Sequence, residues 1–106
     1  MSETENARAY EVVGATLIIR SDPRYDDPEF KKGCADLIEV PEKELIIDLT
    51  RVKFISSREI SVIVTAVKRA REAGKTLRIR ASVAVHGIFR ILKLDTFLHV
   101  ERVEAG

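Results

Sequence analysis

Apolar and polar residues along the chain follow two periods, which together predict alternating strands and helices. Short runs rich in β-branched residues predict strands at Tyr10–Val13, 15–20, Glu44–Leu49 and 76–80. Apolar residues spaced by three and four predict helices that begin at Asp27-Pro28, Ser57 and Val83. Residues 97–103 form either a last short strand or an irregular end. This order predicts an α/β fold with a mostly parallel sheet of four to five strands packed with helices, joined by right-handed crossovers.

For several segments, features other than the hydrophobic period refine the predicted structure. Gly14 separates the first two strands, which predicts either a short hairpin or a bend. Residues 57–73 contain the β-branched run ISVIVTAV, but their length, the basic tail KRAREAG and Gly74 as a C-terminal cap favour a helix. Glu44–Leu49 has the composition of a central strand buried on both faces. We expect the third helix to cover residues 83–94.

Length and composition indicate one folded domain. The chain has 106 residues, which suits a single domain over residues 1–106 with residues 1–9 flexible. Apolar residues make up 45% and charged residues 33%, as in ordinary globular proteins. The apolar runs are too short to span a bilayer, and the acidic, polar start MSETENARAY lacks the apolar core of a secretory signal. We therefore expect a cytoplasmic protein that does not insert into a membrane.

The residues that usually carry chemistry are sparse. Cys34 is the one cysteine and shares helical spacing with apolar residues, which predicts a buried structural thiol. His86 and His99 stand apart from any acid or thiol at the spacing of a ligand set or a catalytic triad, and we expect both at or near the surface. Gly-rich phosphate loops are also absent from the sequence. We expect no metal, no cofactor and no enzymatic activity.

The two halves of the chain carry opposite charge. Residues 1–50 hold 12 acidic and 6 basic residues, whereas residues 51–106 hold 5 acidic and 12 basic ones. The basic residues of the second half either form a face for an acidic partner or lie on solvated helix sides and strand ends. Nucleic-acid binding is not expected, because aromatic residues are few and none alternates with the basic residues as a stacking surface requires.

Residues 45–60, LIIDLTRVKFISSREI, join the apolar strand to the second helix. Ser56 and Glu59 have the spacing of a capping box, in which the serine side chain and the glutamate side chain each accept a backbone N–H at the helix start. Ser57 then falls at the first helical position with its hydroxyl free. The free N–H groups and the helix dipole make this position suitable for a phosphate or another anion.

The chain from about residue 14 to residue 103 resembles the STAS domain of the anti-sigma factor antagonist family. The family motif is an apolar strand, Asp-Leu-Ser, and then Phe-Ile-Asp-Ser-Ser-Gly-Leu. This chain has the corresponding residues Asp48-Leu49-Thr50 and Phe54-Ile55-Ser56-Ser57-Arg58-Glu59-Ile60. The Leu-rich helix end of the family is matched by IFRILKL at 88–94 and FLHV at 97–100. Ser56, Arg58 and Glu59 replace the Asp, the second Ser and the Gly of the motif.

The resemblance implies a bacterial switch protein without enzymatic activity, and Ser57 stands at the family's phosphorylated position. It implies that the unmodified protein binds an anti-sigma factor that is also a serine kinase, and that phosphorylation releases it; a phosphatase is a further expected partner. The predicted partner-binding residues share the junction between strand and helix; they are Arg51, Lys53, Ser56, Ser57, Arg58 and Glu59. The alternative is an unphosphorylated STAS subunit that regulates an ABC-type transporter or scaffolds a stress-signalling assembly. The oligomeric state is left open.

Overall fold

Five strands and three helices make up residues 9–104, the part of the chain that the computed structural model describes. In chain order they are β1 (Tyr10–Val13), β2 (Thr16–Ile19), α1 (Pro28–Ile38), β3 (Glu44–Leu49), α2 (Ser57–Glu72), β4 (Thr76–Ala81), α3 (Val83–Ile91) and β5 (His99–Arg102). The predicted α/β order is confirmed. The ambiguous segment after Ser56 is a helix, and the segment near the C-terminus contains a strand.

The sheet follows the chain, with the order β1-β2-β3-β4-β5. β1 and β2 are antiparallel and pair Val13 with Thr16, while β2, β3, β4 and β5 are parallel to their neighbours. Gly14 adopts a φ of 60°, a backbone conformation that glycine takes without the penalty of a side chain. The first two strands therefore form a hairpin, and the alternative of a simple bend is excluded.

One face of this sheet carries the core and the other does not. In β3, Leu45, Ile47 and Leu49 are fully buried, whereas the residues between them are only partly buried. The same alternation occurs in β4, where Arg78 and Arg80 lie on the less buried face. The prediction that β3 is buried on both faces is therefore wrong. Because the buried residues of the strands share one face, all three helices cover that face, as expected when successive crossovers have the same hand.

The two long crossover helices pack against each other on this face. α1 contacts α2 and the hairpin, and α2 contacts β4. The Tyr10 ring meets the Phe30 ring edge to face at a centroid distance of 5.7 Å. Gly33 allows α1 to approach β2 closely, since a Cβ there would lie 3.0 Å from a methyl group of Leu17. The Cys34 side chain is buried in this layer, as predicted.

The ends of α2 and α3 have the same geometry. After α2, Gly74 has a φ of 75°, and the amides of Gly74 and Lys75 return to the carbonyls of Arg71 and Ala70 at 3.0 and 2.8 Å. This is a Schellman motif, and it confirms Gly74 as the helix stop.

The same pattern ends α3 without a glycine, because Lys93 takes a φ of 60°. The amide of Leu94 returns to the carbonyl of Phe89 at 2.8 Å. The left-handed Lys93 is the reason that α3 ends at Ile91, three residues before the predicted end.

Two further predictions concern the N-terminal segment and the insertion of the chain into a membrane. Ala9 belongs to the described part, and its carbonyl accepts the Arg20 amide at 2.7 Å; the rest of the segment predicted to be flexible, residues 1–8, lies outside the described residues. Among residues 9–104, no helix is long and apolar enough to cross a membrane.

Candidate docking site at the start of α2

The predicted site lies at the edge of the sheet where the parallel strands β3 and β4 end. After β3, the Asp48 carboxylate accepts the Thr50 amide at 2.9 Å and the Thr50 hydroxyl at 2.6 Å, which turns the chain out of the sheet. Val52 and Ile55 are then buried and fix the loop to the core, whereas Phe54 between them is 60% exposed. This arrangement presents residues 53–58 at the carboxyl edge, where α/β folds place their sites.

The predicted capping box is absent from this helix start. Ser56 is the N-cap residue with an extended backbone, but its side chain accepts no backbone N–H. The Ser56 hydroxyl instead donates to one carboxylate oxygen of Glu59. The carboxylate accepts this hydroxyl in place of the Ser56 amide that a capping box would give it. The prediction of a reciprocal cap is therefore wrong, although Ser56 does begin the helix.

Glu59 connects the starts of the two long helices. Its side chain is 1% exposed, and its second carboxylate oxygen accepts the backbone amides of Asp26 at 2.9 Å and Asp27 at 3.4 Å. These amides lie just before α1, so one buried carboxylate joins the loop before α1 to the first turn of α2. The positive end of the α2 dipole and three donated hydrogen bonds stabilise this buried charge. Glu59, which was predicted to bind the partner, therefore lies beneath the surface and not on it.

The other predicted residues lie at the surface around this connection. Ser57 is the first residue of α2, is exposed, and its hydroxyl makes no hydrogen bond to any residue from 9 to 104. Arg58 is exposed, pairs with the Asp26 carboxylate at 3.2 Å and stacks over the Tyr25 ring at 5.9 Å. Lys53 is exposed, and its amide donates to Asp22 at 2.8 Å. Arg51 is exposed in the turn after β3.

The start of α1 beside this surface is held by Asp27. Its carboxylate accepts the Glu29 amide at 3.0 Å as an N-cap and the Tyr10 hydroxyl at 2.6 Å. Burial by itself would raise the pKa of Asp27, but the hydrogen bonds from Tyr10 and from backbone amides outweigh it and hold that pKa below its usual value. Burial, together with the hydrogen bond to Asp27, raises the pKa of Tyr10. Both groups therefore keep the charge states that this contact needs at neutral pH.

Sequence reasoning missed the contribution of the loop before α1. Tyr25 is 71% exposed and lies against Arg58, and Asp26 carries the ion pair to Arg58. The spacing along the chain offers no sign of this contact, since more than 30 residues separate Tyr25 from Arg58. Phe54 was noted as part of a motif, but the exposure of its ring depends on which of its neighbours enter the core. Exposed aromatic and Arg residues of this kind are common at the centres of protein interfaces.

Ser82 is a second missed residue at the same edge. It is the N-cap of α3, accepts the Val85 amide at 3.2 Å and donates its hydroxyl to the Val52 carbonyl at 2.5 Å. It therefore ties the loop after β3 to the start of α3. The local sequence gives no sign of the bond from Ser82 to a loop 30 residues earlier.

The basic residues of the second half are spread over different surfaces. Lys68 and Arg69 are exposed on α2, while Arg78 and Arg80 lie on the less buried sheet face. Others serve the fold itself. Lys75 donates to the carbonyls of Ile38 and Val40 at the end of α1, and Arg71 donates to the Phe97 carbonyl at 2.9 Å. The alternative of one continuous basic face is therefore wrong.

Groups that would hold a metal are not found in residues 9–104: no cluster of three or more His, Cys, Asp or Glu side chains occurs there. His86 is half-buried and His99 is exposed, as predicted. Burial raises the pKa of the Cys34 thiol to about 12, so this side chain stays protonated at neutral pH. The expectation of no enzymatic activity stays a prediction.

The comparisons with known proteins agree with this architecture. A family model of the STAS domain matches residues 25–105. The chain belongs to the STAS domain family, and the resemblance noted in the sequence is confirmed. A solved structure of a Thermotoga maritima protein, described as a candidate anti-sigma factor antagonist, superposes with a TM-score of 0.67 at 17% identity, over 99% of this chain and 92% of that chain. A search of curated protein sequences gives no match.

Proposed function

We propose that this protein is an anti-sigma factor antagonist that works by partner switching, with Ser57 as its phosphoacceptor. The observation that carries the proposal is the exposed, unbonded hydroxyl of Ser57 at the first position of α2 in a STAS domain. The fold of the Thermotoga maritima protein, described as a candidate for the same role, supports the proposal. In this proposal the partner is an anti-sigma factor with serine kinase activity, and a phosphatase restores the unmodified form.

The surface that would bind the partner is defined by five exposed residues, and we call it the docking face; they are Tyr25, Lys53, Phe54, Ser57 and Arg58. Two aromatic side chains beside two cations give both apolar contact area and charge, which interfaces favour at their centre. Glu59 and Ser56 lie beneath this face and hold its two loops together. Arg51 lies on the preceding turn and belongs to the rim.

A phosphate on Ser57 would change this face through charge. It adds about two negative charges and meets the free N–H groups at the start of α2, which favour an anion. Arg58 now pairs with Asp26 at 3.2 Å, and a phosphate on the adjacent residue competes for the same guanidinium. Loss of that ion pair loosens the loop that presents Tyr25. Release of the partner then follows from the negative charge added to the interface and from a displaced aromatic residue.

The test is to map the modification and its effect on binding. The wild-type protein is used as bait to isolate its partner, the purified pair is incubated with ATP, and the modified residue is identified by mass spectrometry. We expect phosphate on Ser57, loss of phosphorylation in Ser57→Ala, and binding weakened by about a hundredfold in Ser57→Asp, because a buried unpaired charge costs several kcal/mol.

Thr76→Ala is the matched control, since Thr76 is an exposed hydroxyl residue at the start of β4 and belongs to neither α2 nor the loops beside it. It should retain both phosphorylation and release. Phosphate on another residue, or full binding by Ser57→Asp, would show that Ser57 is not the switch. Capture of an ABC-type ATPase that does not phosphorylate the protein would instead support the transporter alternative and overturn this proposal.

A further inference from the structure

A groove of about 420 Å³ runs between α1 and α2. Its lining comes from both helices: Lys31, Cys34, Ala35 and Ile38 from α1, and Arg58, Ser61, Val62, Thr65, Ala66 and Arg69 from α2. Glu59 ties the starts of the two helices together, so they run side by side from the same edge of the sheet. The groove therefore begins beside the docking face and leads away from it.

The groove is positive at both ends and apolar between them. Lys31 and Arg58 lie near the starts of their helices, and Arg69 lies 11 residues beyond Arg58, which is about 16 Å along a helix. No acidic residue is part of the lining. Arg58 pairs with Asp26, whereas Lys31 and Arg69 form no ion pair with any other residue of the described chain. Small apolar side chains, Ala35, Val62 and Ala66, form the middle of the groove.

The exposure, charge and side-chain composition of the groove indicate which kind of molecule fits it. Half of the lining residues are exposed along the groove, whereas a small-molecule site buries most of its ligand. No aromatic side chain lines the groove, so nucleic-acid bases find no stacking surface. An apolar strip two to three turns long between two helices matches an amphipathic helix, which inserts residues at positions i, i+3, i+4 and i+7. The cations at both ends require that this helix carry acidic residues about three turns apart.

We propose that the groove between α1 and α2 binds an acidic amphipathic helix of a protein partner. The proposal rests on the proposed function in that the partner's helix ends at Arg58, beside the phosphoacceptor. Ser57, Ser61 and Thr65 are exposed and follow one another at four-residue spacing along α2, which makes the docking face and the groove one continuous surface. A phosphate on Ser57 would repel the nearest acidic end of the helix and compete for Arg58.

The experiment uses two labelled peptides of about 14 residues, long enough to span the groove as helices. One has Glu residues 11 positions apart with Leu and Ala between them at i, i+3, i+4 and i+7, and the other is a scrambled sequence of the same composition. Binding to the full chain is measured by fluorescence anisotropy. We expect the patterned peptide alone to bind, and Arg69→Glu to weaken its binding by about tenfold or more through like-charge repulsion.

Lys68→Glu is the matched control, because it makes the same change of charge on a neighbouring exposed residue of α2 that does not line the groove. It should alter binding by less than about twofold, since isolated surface charges interact weakly. Thr65→Phe tests the shape of the groove without any change of charge and should also remove binding. Circular dichroism confirms that each variant is folded.

Equal effects of Arg69→Glu and Lys68→Glu, equal binding of both peptides, or no binding up to about 1 mM would overturn the proposal. Stronger binding to vesicles that contain phosphatidylglycerol than to the patterned peptide would also overturn it, in favour of a lipid surface. These outcomes do not depend on phosphorylation. A failure of the Ser57 proposal would leave peptide binding intact, and a failure here would leave the mapped phosphate intact.

Discussion

α2 and α3 each begin at a serine N-cap residue with an extended backbone, yet the two serine side chains form different hydrogen bonds. Ser82 caps α3 through its own helix, accepts the Val85 amide and fixes the neighbouring loop through the Val52 carbonyl. Ser56 leaves the amides of α2 uncapped and gives its hydroxyl to Glu59. The difference is that a buried carboxylate lies under α2, and its need for donors outweighs the local cap.

This difference bears on the proposed phosphorylation of Ser57. The helix start that is capped locally serves the fold, whereas the uncapped start keeps its free N–H groups beside the exposed Ser57. An anion at that position then finds donors that no side chain has already taken. Glu59 supplies the rigidity that a capping box would otherwise give, but from beneath the surface.

Removal of Glu59 should have the largest effect on stability. In Glu59→Ala the amides of Asp26 and Asp27 and the hydroxyl of Ser56 lose their acceptor, and we expect the free energy of unfolding to fall by about 3 kcal/mol. Glu59→Gln retains an acceptor and a donor in the same volume and should cost about 1 kcal/mol. Urea denaturation measures both values. Glu72→Ala, an exposed change on the same helix, should stay within about 0.5 kcal/mol. Equal losses in Glu59→Ala and Glu72→Ala would contradict the role of the buried carboxylate.

Replacing Ser56 and Ser82 by alanine, one at a time, should show that the two serines contribute differently to the free energy of unfolding. Ser82→Ala removes a cap and a bond to a loop carbonyl, and we expect it to lower the free energy of unfolding by about 2 kcal/mol. Ser56→Ala should cost about 1 kcal/mol, because this half-buried position lets water replace the hydroxyl and the amides of Asp26 and Asp27 still hold Glu59. Chemical denaturation of both variants gives the comparison. A larger loss in Ser56→Ala than in Ser82→Ala would indicate a true cap at α2.

Substitution of Asp27, the N-cap of α1, should have the smallest effect on the free energy of unfolding. This effect should also depend on pH. The folded state holds the pKa of Asp27 below its usual value of 3.8, so its ionised form adds stability above that pH. This contribution is lost as pH falls through the folded pKa. Asn also caps helices well, so Asp27→Asn should cost less than about 1 kcal/mol at pH 7.

The stabilities of wild type and Asp27→Asn should therefore converge as pH is lowered below 3.8. Thermal unfolding between neutral and acidic pH measures this difference. A gap between the two proteins that widens in acid would reverse the sign and contradict the assigned hydrogen bonds from Tyr10 and the backbone.

Much of the fold was predictable because local rules and tertiary structure agree there. Strand and helix periods located the elements from β1 to α3 but left residues 97–103 as either a strand or an irregular end, and Gly74 and Asp27-Pro28 marked their helix ends correctly. The end of α3 was not predictable in this way, because Lys93 adopts a positive φ that glycine or asparagine normally signals. The burial of β3 was also misjudged. Its apolar composition does not reveal that all helices lie on one face of the sheet.

The same distinction between local sequence and long-range contacts applies to the candidate site. The sequence by itself determined the order of elements, the STAS resemblance and the place of Ser57 at the first turn of α2, since these depend on residues close together in the chain. Only the tertiary structure decided that Glu59 is buried under that turn, that Tyr25 and Asp26 meet Arg58, and that two helices leave a basic groove between them. These contacts join residues about 30 positions apart, and local spacing carries no information about which distant donors a buried charge will find.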